Sequence, residues 1–65
     1  MIVSMSCYFS AFAGDCVVLK DAAGETVGVK ALPMHYDVFA RRVMRSKRWS
    51  LVYGGPGSFH FEKRP

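Results

Sequence analysis

Apolar and polar residues alternate along the first part of the chain. Between Ile2 and Phe12, Val3, Met5, Cys7, Phe9 and Ala11 share one side, and Ser4, Ser6, Tyr8 and Ser10 the other. A period of two belongs to a half-buried antiparallel strand, with the odd positions turned to the core. The even side is uncharged, so another chain could cover it. Ala13-Gly14-Asp15 supplies a tight turn, because glycine reaches positive φ without a steric cost. Cys16–Lys20 then reads as a second strand and Glu25–Ala31 as a third. The connection Asp21-Ala22-Ala23-Gly24 fits a type I turn with Gly24 in the left-handed region, closing a hairpin with a bulge. Val27 and Val29 alternate with Thr26, Gly28 and Lys30, and Gly28 marks a bulge or a close approach by another backbone.

The period changes between Pro33 and Arg48. At ~100° per residue, Tyr36, Phe39, Ala40, Val43 and Met44 fall on one side of a helix. Arg41, Arg45 and Arg48 fall on the other, with Arg42 on the flank and the apolar pair Met34 and Val38 among them. Proline is tolerated in a first helical turn, where its missing N–H would have had no partner. Asp37 suits the positive end of the helix dipole and can pair with Arg41; an alternative start makes Asp37 the N-cap. Lys47 would fall on the apolar side, which ends the helix near Ser46. Beyond it, Trp49–Glu62 reads as a second hairpin: Trp49, Leu51 and Tyr53 share a face, Phe59 and Phe61 share another, and Gly54–Ser58 forms the loop. The tail Lys63-Arg64-Pro65 is expected to fray. The order β-β-β-α-β-β predicts a small α+β domain spanning 1–65, an antiparallel sheet with one amphipathic helix packed on one face.

Composition sharpens this picture in two ways. The chain has 65 residues, 51% of them hydrophobic, and nine aromatics, enough for a core and too many for a disordered segment. A domain this short buries only ~60% of its unfolded surface, so the core is thin, and domains of this size often lean on a second copy or a larger partner. The net charge of +4 is unevenly spread. Residues 1–32 hold two cations against three acids, and residues 33–65 hold seven against two. The positive excess therefore lies in the helix and the segment after it, which suits an acidic protein surface or a nucleic acid. The plain alternative is a solvated face that keeps a small protein soluble.

Candidate chemistry is sparse. Cys7 and Cys16 have no zinc-type spacing, with His35 and His60 too distant to complete a site, so no metal is expected and both cysteines read as buried free thiols. Gly54-Gly55-Pro56-Gly57-Ser58 lies between two strands and lacks the lysine and helix of a phosphate-binding loop, so no cofactor is expected. Cys7, His35, His60 and Asp37 show no spacing that builds a nucleophile–base pair, and the chain is read as a non-enzyme. Residues 1–13 end in Ala11-Phe12-Ala13, which imitates a signal-cleavage site, yet no basic region precedes them and serines interrupt the apolar run. No stretch approaches the ~20 apolar residues of a membrane helix, so a cytoplasmic location is expected.

Two binding classes remain. Arg41, Arg42, Arg45, Lys47 and Arg48 run directly into Trp49, a stacking platform for nucleic acid unless the thin core claims it. A three-stranded sheet followed by a helix resembles, in layout alone, the arm-type DNA-binding domains of phage integrases; no residue motif matches and no site carries over. In the second class, arginine, methionine and aromatic residues together are what interface centres favour. Small size without catalytic residues resembles phage-encoded proteins that bind and block a host machine, anti-CRISPR proteins included. The expectation is a binding domain, an inhibitor or adaptor. It would dock on a protein or protein–nucleic acid complex through Arg41, Arg42, Arg45, Arg48, Met34, Val38 and Trp49, with direct DNA or RNA binding as the alternative.

Overall fold

A computed structural model describes all 65 residues. In chain order the elements are β1 (Ile2–Ser10), β2 (Gly14–Asp21), β3 (Thr26–Ala31), α1 (Tyr36–Met44), β4 (Trp49–Gly55) and β5 (Ser58–Lys63). The five strands form one antiparallel sheet in the order β3-β2-β1-β5-β4. This is an α+β architecture with the longest strand at its centre. The helix lies in the connection that carries the chain from one edge strand, β3, to the other, β4.

Pairing register separates the two sides of the sheet. Met5 lies opposite Leu19 and Phe61, and Cys7 opposite Val17 and Phe59. Met5, Cys7, Val17 and Phe61 form one buried cluster with Ala40 and Val43 of the helix. Leu19, Leu32, Tyr36, Phe39, Trp49 and Phe59 pack around it, half-buried. Only seven residues of the chain are buried, so the core is one layer deep. The seventh, Cys16, pairs with Tyr8 and Ala31 on the other side of the sheet. The two thiols therefore point to opposite faces, and both are free.

Several sequence expectations are corrected by the structure. The helix is nine residues long and begins at Tyr36, not at Pro33; His35, in an extended conformation, stands at its N-cap position in place of Asp37. The start is fixed from a distance: the Asp15 carboxylate on β2 accepts a hydrogen bond from the Tyr36 N–H at 3.0 Å, and the Asp15 carbonyl accepts one from Leu32 at 2.9 Å. One residue thus satisfies a free N–H of the first turn and ties the strand to the helix approach. The Cys7 thiol adds a weak donor contact to the Tyr36 carbonyl at 3.6 Å. The helix ends near Ser46, as expected, with Met44 its last residue. Arg45 caps it, and the Ser46 N–H turns back to the Val43 carbonyl at 2.9 Å.

The hairpin from β2 to β3 closes as expected, with Gly24 at φ 81° and its N–H on the Asp21 carbonyl at 3.0 Å. The second hairpin is tighter than expected. Gly54, Gly55 and Ser58 belong to the strands, leaving Pro56 and Gly57 as the turn, with Gly57 at φ 102°. A bulge falls between Leu51 and Tyr53. Trp49 and Leu51 therefore lie opposite Lys63 and Phe61 on the helix side, whereas Tyr53 lies opposite His60 on the other side and does not share their face. An extra residue shifts every later side chain across the sheet, and alternation read from sequence carries no sign of it. Phe9 departs from the core as well. It lies opposite Asp15 at the end of β1, where the helix begins, and is 61% exposed.

Candidate basic interface

The helix faces the sheet with Ala40 and Val43 buried and Tyr36 and Phe39 half-buried; Met44, expected on that stripe, is mostly outside it. That leaves Val38, Arg41, Arg42 and Arg45 to solvent. Met34 and Arg48 do not belong to the helix. Met34 lies in the turn before it, half-buried, and Arg48 in the loop that leads to β4. The expected row of Arg41, Arg45 and Arg48 along a single helix face is thus broken after Arg45. Trp49 opens β4 and packs half-buried against the core cluster.

Backbone bonds restore what the shortened helix removes. The Arg64 N–H donates to the Arg48 carbonyl at 2.7 Å, and Trp49 lies opposite Lys63 in the β4–β5 register. The C-terminal segment is tied to the start of β4 instead of fraying at Lys63, and it brings two further cations to the end of the helix. Arg42, Arg45, Lys47, Arg48, Lys63 and Arg64 are all exposed. Arg48's own N–H is held by the Ser46 hydroxyl at 3.2 Å, which fixes the loop that carries it.

Charge pairing leaves this group unneutralised. Asp37 takes a hydrogen bond from His35 at 2.6 Å and pairs with Arg41 at 3.7 Å, the one Arg or Lys ion pair within the molecule. Arg41 therefore meets a carboxylate, while the six cations beyond it have none within 4.0 Å. At 2.6 Å from a carboxylate oxygen, His35 Nδ1 must carry the proton and donate it. The 3.4 Å approach of the Asp37 N–H to the same nitrogen is then a near contact and not a capping bond. That hydrogen bond from His35, helped by Arg41, holds the Asp37 carboxyl below its usual range. Part of the cluster also has an internal use. Arg41 and Arg42 stand in the last helical turn, where cations offset the negative dipole end by ~0.3–1 kcal/mol each. Arg45, the C-cap residue, shares that position; Lys47, Arg48, Lys63 and Arg64 lie beyond the helix.

No known protein family, curated protein or solved structure matches this chain. The geometry therefore stands on its own. The surface has no pocket, and no three His, Cys, Asp or Glu side chains lie close enough to share a metal ion. No helix is long and apolar enough to cross a membrane.

Two exposed features are not anticipated by the strand and helix periods. Lys63 and Arg64 read as a fraying tail because no local pattern signals a backbone bond to Arg48, 16 positions away from Arg64. Phe12 is fully exposed in the β1–β2 turn, with the N–H groups of Phe12 and Ala13 both held by the Ser10 hydroxyl at 3.2 and 3.3 Å. A signal for it exists: an aromatic residue between two alanines where the strand alternation stops.

The thiol under the helix has no exposed surface, and burial pushes the Cys7 pKa up to about 11 from 9.0. Native protein should leave Cys7 unalkylated by iodoacetamide at neutral pH, while protein unfolded in urea reacts at both cysteines, read by mass spectrometry of the digested chain. Rapid native labelling at Cys7 would contradict the buried position. The same shift has a sign in stability. The unfolded chain ionises this thiol first, so its contribution is intact below the ordinary thiol pKa and is lost as pH rises toward the folded value.

Proposed function

We propose that this chain is a small non-enzymatic binding domain, an inhibitor or adaptor. In this reading it docks on an acidic protein surface, or on a protein–nucleic acid assembly, through the basic end of its helix. The observation that carries this reading is the convergence of six exposed, unpaired cations around one loop: Arg42, Arg45, Lys47, Arg48, Lys63 and Arg64. Like charges gathered this closely raise the local potential and steer an acidic partner, and they gain little from each other. Val38, exposed on the same helix, offers apolar contact beside them. A host-directed inhibitor of the kind that phages encode, anti-CRISPR proteins among them, fits this description of a compact chain with one charged contact surface.

Direct, sequence-independent binding of DNA or RNA is the second reading, favoured by the cation density itself. The half-burial of Trp49 against the core weighs against it, since stacking on bases needs a free ring face. Titration of labelled duplex and single strands at low and moderate salt separates the two. The protein reading expects no binding at moderate salt and only weak, easily screened binding below it. Tight binding would favour the second reading if its log–log salt slope falls by about two units on Arg45→Glu with Arg48→Glu. For the first reading, a pull-down from the native source should recover a partner with the wild-type chain and lose it with the same double variant. Recovery of the same partner by both would remove the basic surface from the interface. Circular dichroism on both chains keeps loss of fold separate from loss of contact.

A further inference from the structure

The side of the sheet away from the helix has no element over it. The helix contacts β1, β2, β4 and β5 from one side, and everything else in the chain is turn. Register puts Ser4, Ser6 and Ser10 of β1 along the middle of the open side, with Tyr8 between Ser6 and Ser10. Val18 and Val29 lie on the β2–β3 flank, and His60 and Tyr53 on the β5–β4 flank. The Ser6 hydroxyl holds His60 Nδ1 at 2.7 Å across this surface.

Only two formal charges stand on it, and their placement is regular. Ser4 has Lys20 opposite on β2 and Glu62 opposite on β5. Lys20 and Glu62 therefore flank the central strand symmetrically, two strand spacings or roughly 10 Å apart. No ion pair joins them within the molecule, so each side chain is left without an opposite charge on this surface. A half-turn about an axis lying along β1 exchanges the β2 side for the β5 side. It sets Lys20 of each copy against Glu62 of the other, twice. The same rotation lays the Val18–Val29 flank over the His60–Tyr53 flank, while Ser4 and Ser6 on the axis are small enough to let the two sheets approach. A half-turn across the strands instead lays Lys20 over Cys16 and Glu62 over Ser58, where no charge opposes them.

We propose that two copies of this chain pack open side to open side about a two-fold axis along β1, with Lys20 of each paired to Glu62 of the other. Five strands about 4.8 Å apart and roughly six residues long make a surface of about 20 by 20 Å. That is about 400 Å² in projection, and side-chain relief brings the accessible area toward the lower end of the ~600–1,000 Å² per partner of standard interfaces. The need for cover is visible in the monomer, where seven residues are buried while Val29 and Tyr53 stand more than half exposed. Both helices then lie on the outside, so the dimer would present its two basic surfaces in opposite directions. The pairing does not depend on what those surfaces bind.

The test is a charge swap read by sedimentation equilibrium of the purified chain. Wild type should dimerise. Lys20→Glu alone, and Glu62→Lys alone, each set like charges together twice per dimer and should raise the dissociation constant by about a hundredfold. The double variant K20E/E62K re-forms the pairs in reverse and should return the constant to the wild-type range. Circular dichroism of each variant confirms that the chain is folded. A wild-type chain that stays monomeric at every concentration overturns the proposal, as does a dimer indifferent to single reversal or a double variant that fails to recover.

Discussion

Phe61→Ala should leave the chain largely unfolded at room temperature. Phe61 has no exposed surface and is the one large side chain among the three that are completely covered. It stands on β5 beside the central strand, opposite Met5 on one flank and Leu51 on the other, and it packs in the cluster that holds Ala40 and Val43 of the helix. Truncating a buried phenylalanine costs ~3–5 kcal/mol, from lost transfer free energy and the cavity left behind. A core this small supplies no more than ~3–5 kcal/mol of net stability. The loss therefore equals the whole margin. Phe61→Leu keeps most of the volume and should cost only ~1–2 kcal/mol, so it should remain folded with a lowered urea midpoint. Urea melts of the two variants followed by far-ultraviolet circular dichroism check this. An Ala variant with a wild-type midpoint would mean that the sheet and helix do not depend on the cluster.

Asp15→Ala is expected to have the next largest effect, and to act on the helix. The carboxylate accepts the Tyr36 N–H at the first helical residue, and the same residue's carbonyl holds Leu32. A hydrogen bond to a charged group is worth ~1.5–3 kcal/mol, and here its loss also exposes an unsatisfied donor at a helix end. A nine-residue helix is marginal alone, so freeing its first turn should let it fray from the N-terminus. Asp15→Asn keeps an acceptor oxygen and loses the charge, and should cost less than half as much. Amide hydrogen exchange provides the readout. In the Ala variant the amides of the helix should lose protection while those of β1 and β5 retain most of theirs. Uniform loss across the sheet would mean that Asp15 supports the whole fold and not the helix start.

These two residues mark the division between what sequence and tertiary structure decided. Local pattern was enough for strand-forming alternation in β1, for the hairpin at Gly24, for one helix, and for the order that makes an α+β chain. Each of those rests on neighbours within a few positions, where side-chain period and turn chemistry act. Pairing partners were a different matter. Strand order β3-β2-β1-β5-β4 put β5 against β1, which made Phe61 central and joined Arg64 to Arg48. The helix boundary came from Asp15, some 20 residues upstream, and so the basic ridge read from the sequence lost Arg48 from the helix and gained Lys63 and Arg64 beside it. The bulge before Tyr53 moved that ring to the open side of the sheet.

The amino-acid sequence by itself determined which segments extend, which one coils, and that cations crowd the second half. Only the tertiary structure decided which of those cations meet, which aromatic is core, and that one side of the sheet is left bare with a lysine and a glutamate set either side of its central strand. The reason is physical: period and turn residues act over a few positions, whereas register, capping from afar and the facing of charges are set by packing between segments distant in the chain.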